Sequence, residues 1–353
     1  MARILARNLM SQGALNQDHS LAAVTEPVLP GGSPDRLLEI DGLILEFGGI
    51  RALDGVTLHL NRGETLCLVG ESGSGKTVTA LSVARLVPTP PAQYVAGRIR
   101  VNQRDVLGMT SGELRRLRGG VVSYVFQEPG VSLNPVMTVG RQIRESLRLH
   151  RPDADRDETV RELLERVGIP APRQRMRSYP HELSGGMQQR VMIAMALAPK
   201  PALLIADEPT TALDVTIQAQ IIDLLVSLRE ESGMSLLVIT HNLGLVGDLA
   251  DRLAVMYAGQ IVESGPARNI LRSPAHPYTR ALMASVPRLG RGGARLLAIP
   301  GNPPRSGAFP AGCRFHPRCP IRQQECGHLS PGWLALEEGR HVRCPHWKQT
   351  HGE

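Results

Sequence analysis

Long apolar runs are missing from this chain of 353 residues. The longest candidate, residues 191–198, is eight residues, whereas a helix needs roughly 18 to 20 to cross a bilayer. The chain is therefore not expected to form a membrane pore by itself. The first 17 residues carry two arginines and no continuous apolar core, so a secretory signal is not expected and a cytoplasmic protein is the default reading. Aromatic residues make up only 3%, and no basic helix or ribonucleoprotein motif is present. The stacking platforms of a nucleic-acid binder are thus absent. The net charge of +7 is uneven: residues 288–353 hold ten Arg or Lys against four Asp or Glu, which is +6 of it. This excess reads as a solvated basic tail, suited to anionic lipid. Cysteines number five. Cys67 stands alone inside an apolar stretch and reads as a small core residue. The other four fall between residues 313 and 344, and in a cytosolic setting such a cluster points to metal before disulfide.

What is present has a clear order. Residues 1–36 lack periodicity and end in Pro30-Gly31-Gly32-Ser33-Pro34, which predicts a flexible leader. From residue 37 the pattern changes. Residues 37–47 and 52–60 alternate apolar and polar positions as half-buried strands do, and 64–69 reads as a buried strand. Val160, Leu163, Leu164 and Val167 fall at helical spacing, with Gly168 as a stop. Helical character is predicted again over 187–198 and 216–231, and buried strands over 203–206 and 236–240. Alternation of this kind predicts an α/β fold with a mainly parallel sheet covered by helices. After about residue 287 the regular pattern fades into Pro, Gly, Arg, Cys and His.

Gly70-Glu71-Ser72-Gly73-Ser74-Gly75-Lys76-Thr77 satisfies G-x-x-x-x-G-K-[ST] between a predicted strand and a predicted helix. A backbone wrapped tightly around phosphate has no room for side chains at Gly70, Gly73 and Gly75. Its N–H groups and the following helix then face the anion. Lys76 supplies a point charge for the β- and γ-phosphates and Thr77 a hydroxyl for Mg²⁺. Hydrolysis needs more. The apolar run 203–206 ends in Asp207-Glu208, at the carboxyl end of a strand where α/β proteins bind ligands. Alone, two such acids fit a solvated turn equally well. Beside a phosphate loop, Asp207 suits Mg²⁺ and Glu208 a general base that polarises water.

Leu183-Ser184-Gly185-Gly186-Met187-Gln188-Gln189 resembles the signature motif of the ABC ATPases. Other matches follow in the family's order: Gln127 resembles the Q-loop glutamine, Thr211-Ala212-Leu213-Asp214 the D-loop, and His241 the switch histidine. The resemblance implies a P-loop NTPase core over 37–286 with an antiparallel β subdomain, a helical subdomain at about 130–190, and a separate segment over 287–353. It implies ATP binding by Gly70, Ser72, Gly73, Ser74, Gly75, Lys76, Thr77 and Val78, with Phe47 stacking on adenine. Thr77, Asp207 and Gln127 would hold Mg²⁺, while Glu208, His241 and Gln127 would serve catalysis. Two such domains would meet head to tail, so that Ser184, Gly185, Gly186 and Gln188 contact the partner's ATP and Asp214 lies in the D-loop.

A narrower resemblance, to the peptide/nickel importers, rests on four segments. They are Gln127-Glu128-Pro129 with Ser132-Leu133-Asn134-Pro135, Tyr179-Pro180-His181-Glu182-Leu183, His276-Pro277-Tyr278-Thr279-Arg280-Ala281-Leu282, and the closing cysteines. It implies a second homologous ATPase subunit, two transmembrane permease subunits and an extracytoplasmic binding protein. The chain would sit peripherally on the cytoplasmic face of the membrane, with di- or oligopeptides as cargo and nickel or another small solute as the alternative. A soluble ABC ATPase with an iron–sulfur regulatory tail is a further alternative. A soluble ABC ATPase of translation or DNA repair is disfavoured by the single copy of each motif and the lack of a heptad run.

The cysteines run Cys313-x5-Cys319-x6-Cys326-x17-Cys344. Four thiolates suit either tetrahedral Zn²⁺ or a cubane cluster, and this spacing does not choose between them. The importer resemblance implies a [4Fe–4S] cluster. His316, His328, His341 and His346 read mostly as surface residues. A bound group is expected to stabilise a segment that lacks a core of its own.

Overall fold

The computed structural model describes residues 35–211, 213–285 and 298–351. All but the last two residues of the expected leader lie outside the described residues, as do the opening of the C-terminal segment and Ala212 of the D-loop. Five strands open the described chain: β1 Arg36–Phe47, β2 Ile50–Asn61, β3 Thr65–Val69, β4 Ala92–Val101 and β5 Arg104–Asp105. Three follow in the middle: β6 Val122–Val125, β7 Leu203–Asp207 and β8 Ser235–Thr240. Four close it: β9 Arg252–Tyr257, β10 Gln260–Pro266, β11 Leu334–Ala335 and β12 His341–Val342. The chain divides into two compact units, one comprising residues 60–65 and 108–240 and the other the remainder.

In the larger unit, an antiparallel sheet has the order β2-β1-β4-β5. Its hairpins turn through residue pairs with positive φ, Gly48-Gly49 between β1 and β2 and Asn102-Gln103 between β4 and β5. Such turns match the twist of the strands they join. The same unit holds the run β11-β12-β10-β9-β3. β3 pairs with β9 in parallel, Leu66 opposite Arg252 through Val69 opposite Val255. β10 returns antiparallel to β9 through Ala258 and Gly259, both at positive φ. A two-residue turn leaves no other choice. The expected mainly parallel sheet is thus corrected to a mixed one. Crossover helices force parallel pairing, but β10 follows β9 through a two-residue turn and β12 follows β11 through residues 336–340, so these neighbours pair antiparallel.

The smaller unit carries the parallel run β6-β7-β8. Every residue of β3, β7 and β8 is buried, which explains why these strands read as continuous apolar runs without alternation. Helices Val139–His150, Asp157–Arg166, Gly185–Leu197 and Val215–Ser232 belong to this unit. The first of the long pair starts at Gly185, two residues before the expected 187, because the signature glycines are themselves helical behind the Ser184 cap.

The C-terminal segment differs most from expectation. Four of its described arginines are engaged, whereas a solvated basic tail was expected; Arg305 and Arg322 are exposed. Arg314 pairs with Asp54, Arg318 with Glu71 and Arg340 with Glu263, while Arg343 lies over Trp333 at 4.8 Å. The Phe315 ring packs against Tyr257 at 5.3 Å and Tyr278 at 5.4 Å. Ala275, Val342 and Cys344 form a second small core with Leu336 and Trp347. The segment is therefore packed against the chain that precedes it, through Ala275, Tyr257 and Tyr278. Of the four histidines that lie among or beside the cysteines, His316, His328, His341 and His346, His328 alone is exposed. His316 bonds the Cys313 carbonyl at 2.9 Å and His346 meets Glu325 at 2.9 Å.

Candidate functional site

The phosphate loop leaves β3 and enters the helix Lys76–Ser82. Gly70 has φ 155, and a Cβ there would stand 2.1 Å from the Met256 carbonyl oxygen of β9. At Gly75, φ 108, a Cβ would meet Met256 Cε at 2.7 Å and Leu53 Cδ2 at 2.9 Å. Gly73, φ 78, faces open space. Gly70 is therefore required by a neighbouring backbone, and Gly73 and Gly75 by their positive φ. Sequence reasoning assigned all three to the phosphate.

Lys76 is buried, and its Nζ donates to the carbonyls of Gly70 at 2.8 Å and Glu71 at 2.9 Å. The Ser74 carbonyl accepts from Gly259 N–H at 2.8 Å, which ties the loop to the β9–β10 turn. Ser74 is 4% exposed and its Oγ has no hydrogen-bond partner. A buried hydroxyl in that condition suits an incoming phosphate oxygen. Ser72 and Gly73 are exposed, Thr77 is half-buried and Val78 is buried. Phe47, at the end of β1 opposite Ala92, is 6% exposed and packs in the core. His241 follows β8 directly and is exposed.

In the other unit the two acids end β7. Asp207 is 5% exposed and stands opposite Ile239. Glu208 lies at φ 48, a conformation that non-glycine residues seldom adopt. Its N–H bonds the Ile239 carbonyl at 2.9 Å. Its carboxylate accepts from Gln127 Nε2 at 3.0 Å and Thr211 Oγ1 at 2.9 Å. The residue carrying the Q-loop resemblance is thus wired to the glutamate expected to act as base. Sequence spacing gave no sign of this bond.

The signature Ser184 caps its helix, its hydroxyl accepting from Met187 N–H at 3.4 Å. Gly185 is exposed, and a Cβ on Gly186 would meet Ile217 Cγ2 at 3.0 Å. Gln188 turns back on its own segment, donating to the Pro180 and Leu183 carbonyls at 2.8 and 3.2 Å. Asp214 caps the helix Val215–Ser232 through Ile217 N–H at 2.9 Å. Gln218, which sequence reasoning missed, holds the D-loop by bonds to the Thr210 and Leu213 carbonyls at 3.2 and 3.1 Å. The signal was available, since a glutamine four residues beyond an N-cap reaches back over the first turn.

Cys313, Cys319, Cys326 and Cys344 all line one cavity, with His276 and Phe315. Cys313 N–H bonds the Cys326 carbonyl at 2.9 Å. Burial pushes the Cys319 thiol up to about 11 and the Cys344 thiol to about 12. Among the described residues no group of three or more His, Cys, Asp or Glu is placed to hold a metal ion. The expected Zn²⁺ or [4Fe–4S] site is therefore not preformed, although its four thiols share a cavity.

Residues 53–211 match the family model described as ABC transporter, and residues 262–326 the one described as oligopeptide/dipeptide transporter, C-terminal region. A Brucella ovis protein provisionally named peptide import ATP-binding protein is 49% identical over 330 residues, covering 89% of this chain and 98% of that protein. A Brucella abortus protein with the same provisional name is 49% identical over 315 residues, covering 88% and 94%. Among solved structures, a dimeric ATP-binding cassette in a post-hydrolysis state with ADP and Pi has TM-score 0.58 at 28% identity, covering 65% of this chain and 99% of that one. The cbiO1 protein of Clostridium perfringens, part of an ABC transporter complex, has TM-score 0.60 at 26% identity, covering 67% and 91%.

Proposed function

Because this chain belongs to the ABC transporter ATP-binding proteins and carries the C-terminal region of the oligopeptide/dipeptide transporters, we propose that it hydrolyses ATP to drive peptide import through separate permease subunits. The observation that carries the hydrolytic reading is Glu208. Its carboxylate is held by Gln127 and Thr211 at the end of β7, beside the buried acid Asp207. A general base must be oriented before its pKa matters. The peptide cargo is supported by the near full-length likeness to peptide import proteins.

In this reading Lys76, Ser74 and the loop backbone bind the phosphates of ATP. Thr77, Asp207 and Gln127 would hold Mg²⁺, which would supply positive charge to the nucleotide's phosphates. Glu208 takes a proton from the attacking water, and His241 contacts the γ-phosphate. Ser184, Gly185 and Gly186 serve the nucleotide of a second ATPase subunit. Gln188, engaged with its own turn, braces that loop. Phe47, a core side chain as it stands, reaches adenine only if the end of β1 opens.

No helix of the described residues is long and apolar enough to cross a membrane. The permeases would therefore hold this subunit at the cytoplasmic face, and an extracytoplasmic protein would deliver the peptide. For the cysteine cavity the proposal is a [4Fe–4S] cluster on Cys313, Cys319, Cys326 and Cys344, which would tie the segment's loops together. Loading requires the four thiols to ionise and close in. Iron and acid-labile sulfide in anaerobically purified protein test it, and their absence from folded protein refutes it.

The transport reading is tested by co-expressing this chain with candidate permease, partner-ATPase and binding-protein genes and measuring tripeptide uptake into right-side-out or reconstituted vesicles that hold ATP inside, on the cytoplasmic face. Uptake of peptide supports it. Uptake of a nickel chelate with no peptide uptake transfers the chain to the alternative cargo.

A further inference from the structure

Glu71, the first variable residue of the phosphate loop, is gripped from three sides. Its N–H donates to the Tyr278 hydroxyl at 2.8 Å. Its carbonyl accepts from Lys76 Nζ at 2.9 Å. Its carboxylate receives both Nη atoms of Arg318, at 2.7 and 3.0 Å. A two-point guanidinium–carboxylate pair fixes direction as well as distance. Arg318 is a poor candidate for a casual surface partner, because its side chain is only 5% exposed. The rest of its fork is also engaged: Nε donates to the Pro300 carbonyl at 2.8 Å and Nη1 to the Tyr257 hydroxyl at 3.2 Å.

Neither clamping residue belongs to the ATPase motifs. Tyr278 comes from the His276-Pro277-Tyr278-Thr279 segment. Arg318 comes from the turn His316–Arg318 between Cys313 and Cys319. Behind them, the packing is continuous. Phe315 touches both Tyr257 and Tyr278, and the start of the Tyr278 helix hangs on buried Glu263, which accepts from the N–H groups of Ala275 and His276 at 2.9 Å each. The carbonyl that Glu71 offers to Lys76 is therefore set by two side chains of the C-terminal segment and the helix before it.

We propose that Arg318 is a positioning residue for the ATP site: with Tyr278 it holds Glu71, and so fixes the phosphate loop and the Lys76 ammonium for nucleotide. This inference rests on the ATPase reading above.

The test is binding of trinitrophenyl-ATP to the full-length chain, followed by fluorescence, with circular dichroism and melting as folding controls. Arg318→Ala is expected to weaken binding roughly 5- to 20-fold, as loss of one partner of a linked charge pair does. Glu71→Gln, which keeps shape and removes only the charge, is expected to weaken it by a similar factor even if Arg318→Ala proves unstable. The double variant should bind no worse than either single one, and Arg318→Lys should recover part of the loss. A role confined to general stability would give additive losses and no rescue by lysine. Folded Arg318→Ala or Glu71→Gln with parental affinity, or additive losses in the double variant, overturns the proposal. If Lys76→Ala loses the probe in that same experiment, the ATPase reading stands without the clamp. If Lys76→Ala binds as the parent does, the ATPase reading itself fails.

Discussion

The phosphate loop and the cysteine-bearing segment lie in the same unit, and both are irregular chain, yet they are held by opposite means. The loop is fixed from within the backbone. Gly70 and Gly75 fit against β9 and the start of β2, where a single added carbon would meet Met256 or Leu53. The segment is fixed by long side chains. Arg314, Arg318 and Arg340 reach Asp54, Glu71 and Glu263, each distant in sequence. Backbone fit at Gly70 tolerates no side chain and leaves little to rearrange. Side-chain clamps depend on charge and so can be loosened one at a time. The two modes meet at Glu71, a loop residue whose carboxylate belongs to the second kind of fastening.

The comparison can be broken most severely at Gly70. Gly70→Ala forces a left-handed residue into a 2.1 Å overlap with a carbonyl oxygen, and strain plus overlap should cost about 4 kcal/mol. Chemical denaturation would show it as a lower midpoint, along with lost nucleotide binding. Next is the segment's own fastening. Arg340→Ala leaves Glu263, 0% exposed, with its two backbone donors but no counter-charge. A cost of about 3 kcal/mol is expected, read as a melting shift with the cysteine segment becoming protease-sensitive.

Acid supplies a third, smaller probe. His276 is held neutral by burial, its pKa pushed down to about 3 from 6.5. Its Nδ1 must stay unprotonated to accept from Tyr278 N–H at 3.0 Å. The unfolded chain takes up the proton first. His276 therefore stabilises the fold fully above about pH 6.5 and progressively less as pH falls toward about 3. Its share lost at pH 5 is about 2 kcal/mol. His276→Asn keeps a helix-capping acceptor without the titration, so urea midpoints of parent and variant should converge by that amount between pH 7 and 5. His59, pushed down to about 3 by burial and by Arg252, keeps some acid sensitivity in both. The mildest probe is Gly73→Ala. That position is open, and only its φ of 78 resists a side chain. The expected cost is about 1 kcal/mol, which denaturation can set against the Gly70 result.

Legibility followed the same division. Features carried by local pattern were readable. The buried strands β3, β7 and β8 are unbroken apolar runs, the helix Asp157–Arg166 follows its apolar spacing, and the loop, signature and Asp207-Glu208 stand in order along one chain. Features that depend on a distant partner were not. Counting charges over 288–353 showed an excess of arginine, but nothing in that stretch reveals that Asp54, Glu71 and Glu263 wait more than 70 residues away. The bond from Gln127 to Glu208 spans 81 residues and was invisible for the same reason. Gly70 was identified correctly as a position barred to side chains, but the barrier is Met256, which only the β3–β9 pairing brings near.

The most direct test of the ATPase account is steady-state ATP turnover by Glu208→Gln beside the parent, with nucleotide binding measured on both. The substitution keeps the shape of the side chain and removes the base. Turnover should fall by roughly 10²- to 10⁴-fold while binding persists, and a variant that hydrolyses ATP at the parental rate would contradict the account.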